Sequence, residues 1–97
     1  MNPPKMTLLP GSGEVPIDNL RRPPTRYTHR VMGEQPYFYG PRISPTASGT
    51  FDAGTRVALI AEAGPLCRVV DSRGLFVYTR GSGLEKLATT GRAKRKN

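Results

Sequence analysis

The sequence predicts a small all-β domain built from five or six short antiparallel strands. Apolar runs rich in valine, leucine, isoleucine and aromatic residues recur at a spacing of roughly ten residues, and glycine-bearing turns separate them. The same runs do not alternate with long helical segments, which argues against a parallel α/β sheet. This pattern is typical of a small barrel or sandwich.

The clearest strand prediction covers residues 55–62. Val57, Leu59 and Ala61 fall on one face of this segment, and the four residues that alternate with them from position 56 to 62 fall on the other. A short helix is the competing interpretation because alanine, leucine and glutamate favour helices. Gly54 and Gly64 bound the segment closely, so it is short for a helix and a strand is favoured.

Strand-like composition extends to both sides of this segment. Pro36 is expected either at the start of its strand or in a strand at the edge of the sheet, because proline has no N–H to donate. The closely spaced glycines and prolines of residues 40–49 predict a long loop. A hairpin turn is expected over residues 71–74, with glycine at its end. The further strand predictions are residues 26–32, 35–39, 66–70 and 75–79, and residues 84–87 form a last turn or short strand.

Composition divides the chain into a flexible Pro-rich arm (residues 1–25), a β-domain (26–87) and a basic disordered tail (88–97). Proline and scattered charge dominate the first segment, which cannot supply a core of its own. Its apolar residues, such as Val15, can pin part of the arm onto the domain, with one short turn at residues 16–19.

The chain carries a formal net charge of +8, and the tail contributes half of it. The tail's cations are Arg92, Lys94, Arg95 and Lys96, with no acid among residues 88–97. Two interpretations stay open. A charge block is often a solvated, disordered arm, but it can also bind phosphates of a nucleic acid or an acidic partner.

The sequence shows no set of residues typical of a catalytic or metal site. A single cysteine, Cys67, excludes an intramolecular disulfide and a Cys-based zinc site within one chain. His29 is the only histidine and cannot hold a metal alone. Asp52 and Asp71 lie next to glycine turns and are predicted to form those turns. We therefore predict neither an enzyme nor a bound cofactor.

No apolar stretch is long enough for a transmembrane helix, which needs about 18 or more residues. The longest apolar run near the first residue is also too short for a signal-peptide core. The expected location is therefore the cytoplasm.

The aromatic segment of residues 37–39 offers a candidate partner surface. In a strand, Tyr37 and Tyr39 share one face and Phe38 takes the other. One interpretation places Phe38 in the core, with the tyrosines covering its edge. The other is an exposed aromatic platform that, with Arg42 and Arg80, holds a peptide or stacks bases.

The chain resembles the bacterial Src-homology-3-like barrels over residues 37–87. Members of that family enter their first long strand through a glycine and apolar element, and a later element combines glycine, an aromatic residue and valine before a terminal leucine. The matching positions here are Gly49, Phe51, Gly54 and Val57, then Gly74, Phe76 and Val77, and finally Leu84 or Leu87. The resemblance implies a small barrel and a non-catalytic binding module.

Three functions follow as hypotheses. The first is a module that binds a protein or peptide partner through Tyr37, Tyr39, Arg42 and Arg80. The second is a nucleic-acid-binding protein that uses its basic arms and the same aromatic face. The third is a small structural subunit of a larger assembly, whose arms extend into its neighbours.

Overall fold

A computed structural model describes residues 5–9 and 13–87 of the chain. This part holds nine β-strands and two three-residue 3-10 turns, and it contains no α-helix. The turns are Ile17–Asn19 and Gly81–Gly83. The strands are β1 (Met6–Leu9), β2 (Gly13–Pro16), β3 (His29–Val31), β4 (Gln35–Phe38), β5 (Gly49–Phe51), β6 (Arg56–Ala63), β7 (Leu66–Asp71), β8 (Phe76–Arg80) and β9 (Leu84–Lys86).

The strands form two antiparallel sheets, which confirms the all-β prediction. Strands β1 and β2 make a two-stranded sheet, and the other seven are ordered β5-β4-β8-β7-β6-β3-β9. Strands β5 and β9 lie at the two ends of the larger sheet and do not pair with each other. The sheet is therefore not closed by hydrogen bonds. No helix of the described residues is long and apolar enough to cross a membrane.

Glycine turns delimit the central strands as the sequence predicts. Gly54 and Gly64, at φ 87° and 64°, stand before and after β6, and Gly74 at φ 87° ends the turn between β7 and β8. Such positive φ angles strain residues that carry a Cβ. Between the first two of these glycines, the strand predicted over residues 55–62 is observed as Arg56–Ala63.

The turn between β7 and β8 is built around Asp71. Its Oδ1 accepts hydrogen bonds from the backbone N–H groups of Arg73 and Leu75, at 2.8 and 3.0 Å. Its Oδ2 accepts bonds from the Arg73 guanidinium. This confirms the prediction that Asp71 forms the turn.

The N-terminal segment differs from the expected arm. Strands β1 and β2 form a hairpin, and Val15 in β2 is fully buried in the core. The predicted turn at residues 16–19 is present. The Asn19 amide then donates to the carbonyls of Tyr39 and Phe76, and Leu20 bridges to Leu75. Val15, Asn19 and Leu20 therefore pin part of this segment onto the domain, as expected for the arm's few apolar residues. Residues 88–97 lie outside the described residues.

A second difference concerns residues 40–49, expected to be a loop throughout. Gly49 begins β5, which pairs with β4 from Gly49 to Phe51. This three-residue strand is too short to show a periodic pattern in the sequence. Its position depends on the pairing with β4.

The core lies on one face of the large sheet. It contains alternate residues of the central strands, and β2 closes it with Val15. The buried members are Val15, Val31, Tyr37, Phe51, Val57, Cys67, Val69, Leu75 and Val77. Period-two alternation directs the remaining side chains of β7 and β8 to the opposite face. We call this opposite face the outer face.

Candidate binding groove

The predicted aromatic platform is not open to a partner. Tyr37 is only 2% exposed, and its ring packs on Phe51 with the centroids 4.8 Å apart. Tyr39 is half-buried beside it, with the two tyrosine centroids 6.2 Å apart. The two tyrosines share a face as predicted, but that face is the core. Tyr37 is therefore corrected from a partner-binding residue to a core residue.

Burial also affects the chemistry of Tyr39. Loss of solvent raises the pKa of its phenol, and the neighbouring Tyr37 raises it further. The hydroxyl group of Tyr39 stays protonated and donates to the carbonyl of Glu14 at 3.5 Å. Tyr39 thus joins β2 to the sheet, which is a structural role.

The two predicted arginines lie in different parts of the fold. Arg42 is exposed in the loop between β4 and β5. Arg80 ends β8, where its backbone carbonyl accepts a bond from the buried Gln35 amide at 2.8 Å. The four cations predicted to bind nucleic acid, Arg92, Lys94, Arg95 and Lys96, lie outside the described residues.

Instead, the outer face gathers arginine and aromatic side chains. The pairs Arg68↔Tyr78 and Val70↔Phe76 lie opposite each other in the β7–β8 register. The Arg68 guanidinium carbon is 4.0 Å from the Phe76 ring centroid and 5.0 Å from that of Tyr78. Arg21, on the segment before β3, lies 4.5 Å from the same Phe76 centroid. Cation–π attraction holds both guanidinium groups at this ring.

The Arg68 guanidinium retains one hydrogen-bond donor without a partner among the described residues. Its Nε is buried and has no hydrogen-bond partner among the described residues. The ion pairs found in this part of the chain use Arg30 with Glu85 and Arg73 with Asp71. A guanidinium carries five N–H donors, and a buried donor without a partner is costly. A carboxylate or phosphate oxygen that enters beside the Arg68–Phe76 stack and displaces the atoms covering Nε would satisfy this donor.

An apolar groove of about 380 Å³ adjoins this stack. Ile60, Val70 and Phe76 line it from the sheet, and Arg21, Arg22 and Pro24 line it from the segment that crosses the outer face. Ile60 is 55% exposed. A β-bulge between Leu59 and Ala61 explains this position, since the extra residue has no partner on β7. We call this site the arginine groove.

A second cavity, of about 470 Å³, opens on the other side of β6. Its lining includes the cationic or ionisable residues His29, Arg80 and Lys86 together with Glu62 and Cys67. Burial, and then the Glu62 carboxylate, raises the pKa of the Cys67 thiol. An un-ionised thiol is a weak nucleophile. No group of three histidine, cysteine or acidic residues within the described ranges is arranged to hold a metal ion. We call this site the inner cavity.

Sequence reasoning missed the arginine groove although one signal for it was present. Arg68 interrupts the apolar run of residues 66–70, and Phe76 and Tyr78 alternate with Val77. This alternation indicates which side chains share a face, but the register that brings Arg68 beside Phe76 comes only from strand pairing. The place of Arg21 at the Phe76 ring could not be predicted either, because it depends on the path of the N-terminal segment across the sheet.

Comparisons with known protein families, with curated proteins and with solved structures each give no match to this chain.

Proposed function

We propose that this chain is a non-catalytic binding module of the Src-homology-3-like type, which binds a peptide segment of a protein partner in the arginine groove. The peptide that fits combines an apolar side chain with a neighbouring carboxylate. The apolar group packs mainly on the exposed side chain of Ile60, with Val70 and Phe76 beneath it in the groove. The carboxylate bonds to the guanidinium groups of Arg21 and Arg68, which stack on Phe76.

The observation that carries this proposal is the Arg68 guanidinium, stacked on Phe76 with a buried Nε that no described residue satisfies. Stacking holds the planar donor group in one orientation before a ligand arrives, so less side-chain entropy is lost on binding. A charge-assisted hydrogen bond contributes about 1.5–3 kcal/mol, and burial of one apolar side chain contributes a similar amount. Together these terms support a weak and reversible interaction.

A nucleic-acid ligand fits the described surface less well. Binding of single strands depends on aromatic rings that are free to stack on bases. Tyr37 is buried, and Phe76 is only 7% exposed beneath two guanidinium groups. The cationic rim would attract phosphates, but this part of the chain offers no open aromatic platform. A peptide with an apolar side chain and a carboxylate needs only the guanidinium donors and the apolar lining of the groove.

The test is a selection from a random twelve-residue peptide library displayed on phage, with the full chain immobilised. We expect enriched peptides to contain aspartate or glutamate next to an apolar residue. The most enriched peptide is then synthesised, and its affinity is measured for Arg68→Gln and for the control Arg42→Gln. Both variants remove one positive charge, but only Arg68 stacks on Phe76, which lines the groove.

Arg68→Gln should weaken binding at least about fivefold, from the loss of one charge-assisted bond, while Arg42→Gln should have little effect. Equal effects of the two substitutions would show that only net charge matters, and the proposed site would be wrong. Binding of a labelled twelve-residue oligothymidine at about 150 mM salt, without peptide enrichment, would favour the nucleic-acid function. Self-association without either ligand would favour the structural-subunit function.

A further inference from the structure

Strand β6 has an unpaired edge over its second half. It pairs with β7 from Val57 to Ala63, but β3 pairs only with its first two residues, Arg56 and Val57. Residues 61–63 are exposed, as is Ile60. Beyond the paired part, β6 is therefore an open sheet edge within the described chain.

The backbone groups at this edge can be assigned from the ladder. The carbonyl of Val57 accepts from Thr28 N–H at 3.0 Å, and Leu59 N–H donates to the Thr28 hydroxyl at 2.8 Å. Backbone groups in an antiparallel strand alternate between its two neighbours. By this alternation the Leu59 carbonyl points away from β7, toward the open edge. Beyond the bulge, Glu62 lies opposite Cys67, and its backbone N–H and carbonyl point toward the open edge as well.

The two sites already described lie on opposite sides of this edge. Ile60 lines the arginine groove on the outer face, whereas Leu59, Glu62 and Gly64 line the inner cavity. Successive side chains of an extended strand point to opposite faces. A strand added to β6 would therefore direct alternate side chains into the arginine groove and the inner cavity.

We infer that the partner peptide binds as an added β-strand along residues 59–63. This inference rests on the proposed function and specifies how the ligand enters the arginine groove. Main-chain hydrogen bonds to Leu59 and Glu62 supply affinity, and the two flanking sites select alternate side chains. Charge complementarity favours an acidic peptide. Arg21 and Arg22 border one site, and Arg80 and Lys86 outnumber Glu62 in the other.

The probe is an end-blocked octapeptide that alternates valine and glutamate, labelled with fluorescein and titrated into the full chain. The chain variants are Glu62→Pro and its control Glu62→Ala. Proline at position 62 removes the outward N–H and places its ring at the open edge, while the ladder to β7 keeps its bonds. Alanine removes the same carboxylate and retains the N–H. We expect Glu62→Ala to bind as tightly as the natural chain or more tightly, and Glu62→Pro to bind at least about tenfold more weakly.

Two N-methylated peptides test the same contact without changing the protein. One carries N-methyl groups on its two central valines and the other on its two central glutamates. An added strand presents alternate N–H groups to β6 and to solvent. One methylated peptide should therefore bind like its parent, and the other should lose at least about tenfold. This comparison remains decisive if Glu62→Pro fails to fold in a thermal melt.

Equal binding by both methylated peptides, or no binding of the parent at about 1 mM, would overturn strand addition. Arg68→Gln separates this result from failure of the proposed function. If Arg68→Gln weakens the parent peptide while methylation does not, the groove binds peptide by another mode. A dimer that Glu62→Pro converts to a monomer in light scattering would assign the edge to a second copy of the chain, and the peptide inference would be wrong.

Discussion

The ring of Tyr37 lies over the Cα of Gly49, its cross-strand partner in the β4–β5 pair. A Cβ at position 49 would overlap the Cζ and hydroxyl oxygen of this ring. The ring is enclosed, because Tyr37 is 2% exposed and packs against Phe51. A glycine is therefore required at this position for steric reasons, and its φ is not positive.

Gly49→Ala should lower the free energy of unfolding by about 1–3 kcal/mol, the usual cost of overpacking a core. Gly40→Ala is the matched control, since a Cβ there meets no atom within 4 Å, and it should change stability by less than about 0.5 kcal/mol. Urea denaturation followed by far-UV circular dichroism measures both. Identical midpoints for the two variants would show that the Tyr37 ring is free to move.

Val15→Ala tests whether the N-terminal hairpin is part of the folded domain. Val15 is fully buried in the core, so removal of two methyl groups should cost about 2 kcal/mol of unfolding free energy. Leu8→Ala, in the same hairpin, is the control because Leu8 is 76% exposed. A thermal melt that shifts only for Val15→Ala supports the packing of β2. An unchanged melting temperature for both variants would show that this segment is a flexible arm, as its composition suggests.

Asp71→Ala should destabilise the turn between β7 and β8. The substitution leaves the N–H groups of Arg73 and Leu75 without their acceptor, and Leu75 is fully buried. We expect a loss of about 2–4 kcal/mol, from one or two buried donors without partners. Asp71→Asn keeps an oxygen acceptor and should cost less.

The control is Asp52→Ala, because Asp52 is exposed beside the turn before β6. Chemical denaturation should rank the variants with Asp71→Ala lowest, then Asp71→Asn, then Asp52→Ala near the natural chain. Equal losses for Asp71→Asn and Asp71→Ala would show that the Arg73 ion pair, rather than the backbone acceptor, dominates the contribution of Asp71.

Cys67 should react slowly with iodoacetamide in the folded chain at pH 8. Burial first, and then the Glu62 carboxylate, raises the pKa of its thiol above the ordinary value of 9.0. The reactive thiolate is therefore scarcer than in the unfolded chain. Mass spectrometry of alkylation in buffer and in urea measures the difference. Glu62→Gln should accelerate the folded-state reaction, whereas Glu85→Gln on β9 should leave it unchanged.

The same shift predicts the direction of a pH effect on stability. The thiol has a higher pKa when folded than when unfolded, so its contribution to stability is complete below the unfolded value. That contribution declines as the pH rises through the folded value, above about 9. Cys67→Ala should lack this part of the alkaline decline. Parallel stability–pH curves for the two proteins would contradict the shifted pKa.

Local patterns in the sequence determined where the central strands lie. The alternation around Val57 and the turns at Gly54, Gly64 and Gly74 depend on interactions within a few residues, so they can be predicted without a fold. The Asp71 turn belongs to the same class, since its acceptor and donors lie within four residues. The all-β class followed from these local features.

Tertiary structure alone decided which face of each strand is covered. The two-residue period of a strand places Tyr37 and Tyr39 on one face, but both faces of that strand are apolar enough to be buried. Packing against Phe51 and β2 decides that the face with the two tyrosines is the one in the core. Long-range pairing likewise brought Arg21 and Arg68 to one Phe76 ring and left the edge of β6 open. Such contacts join residues far apart in the chain, because burial and hydrogen bonding across strands, rather than local preference, select them.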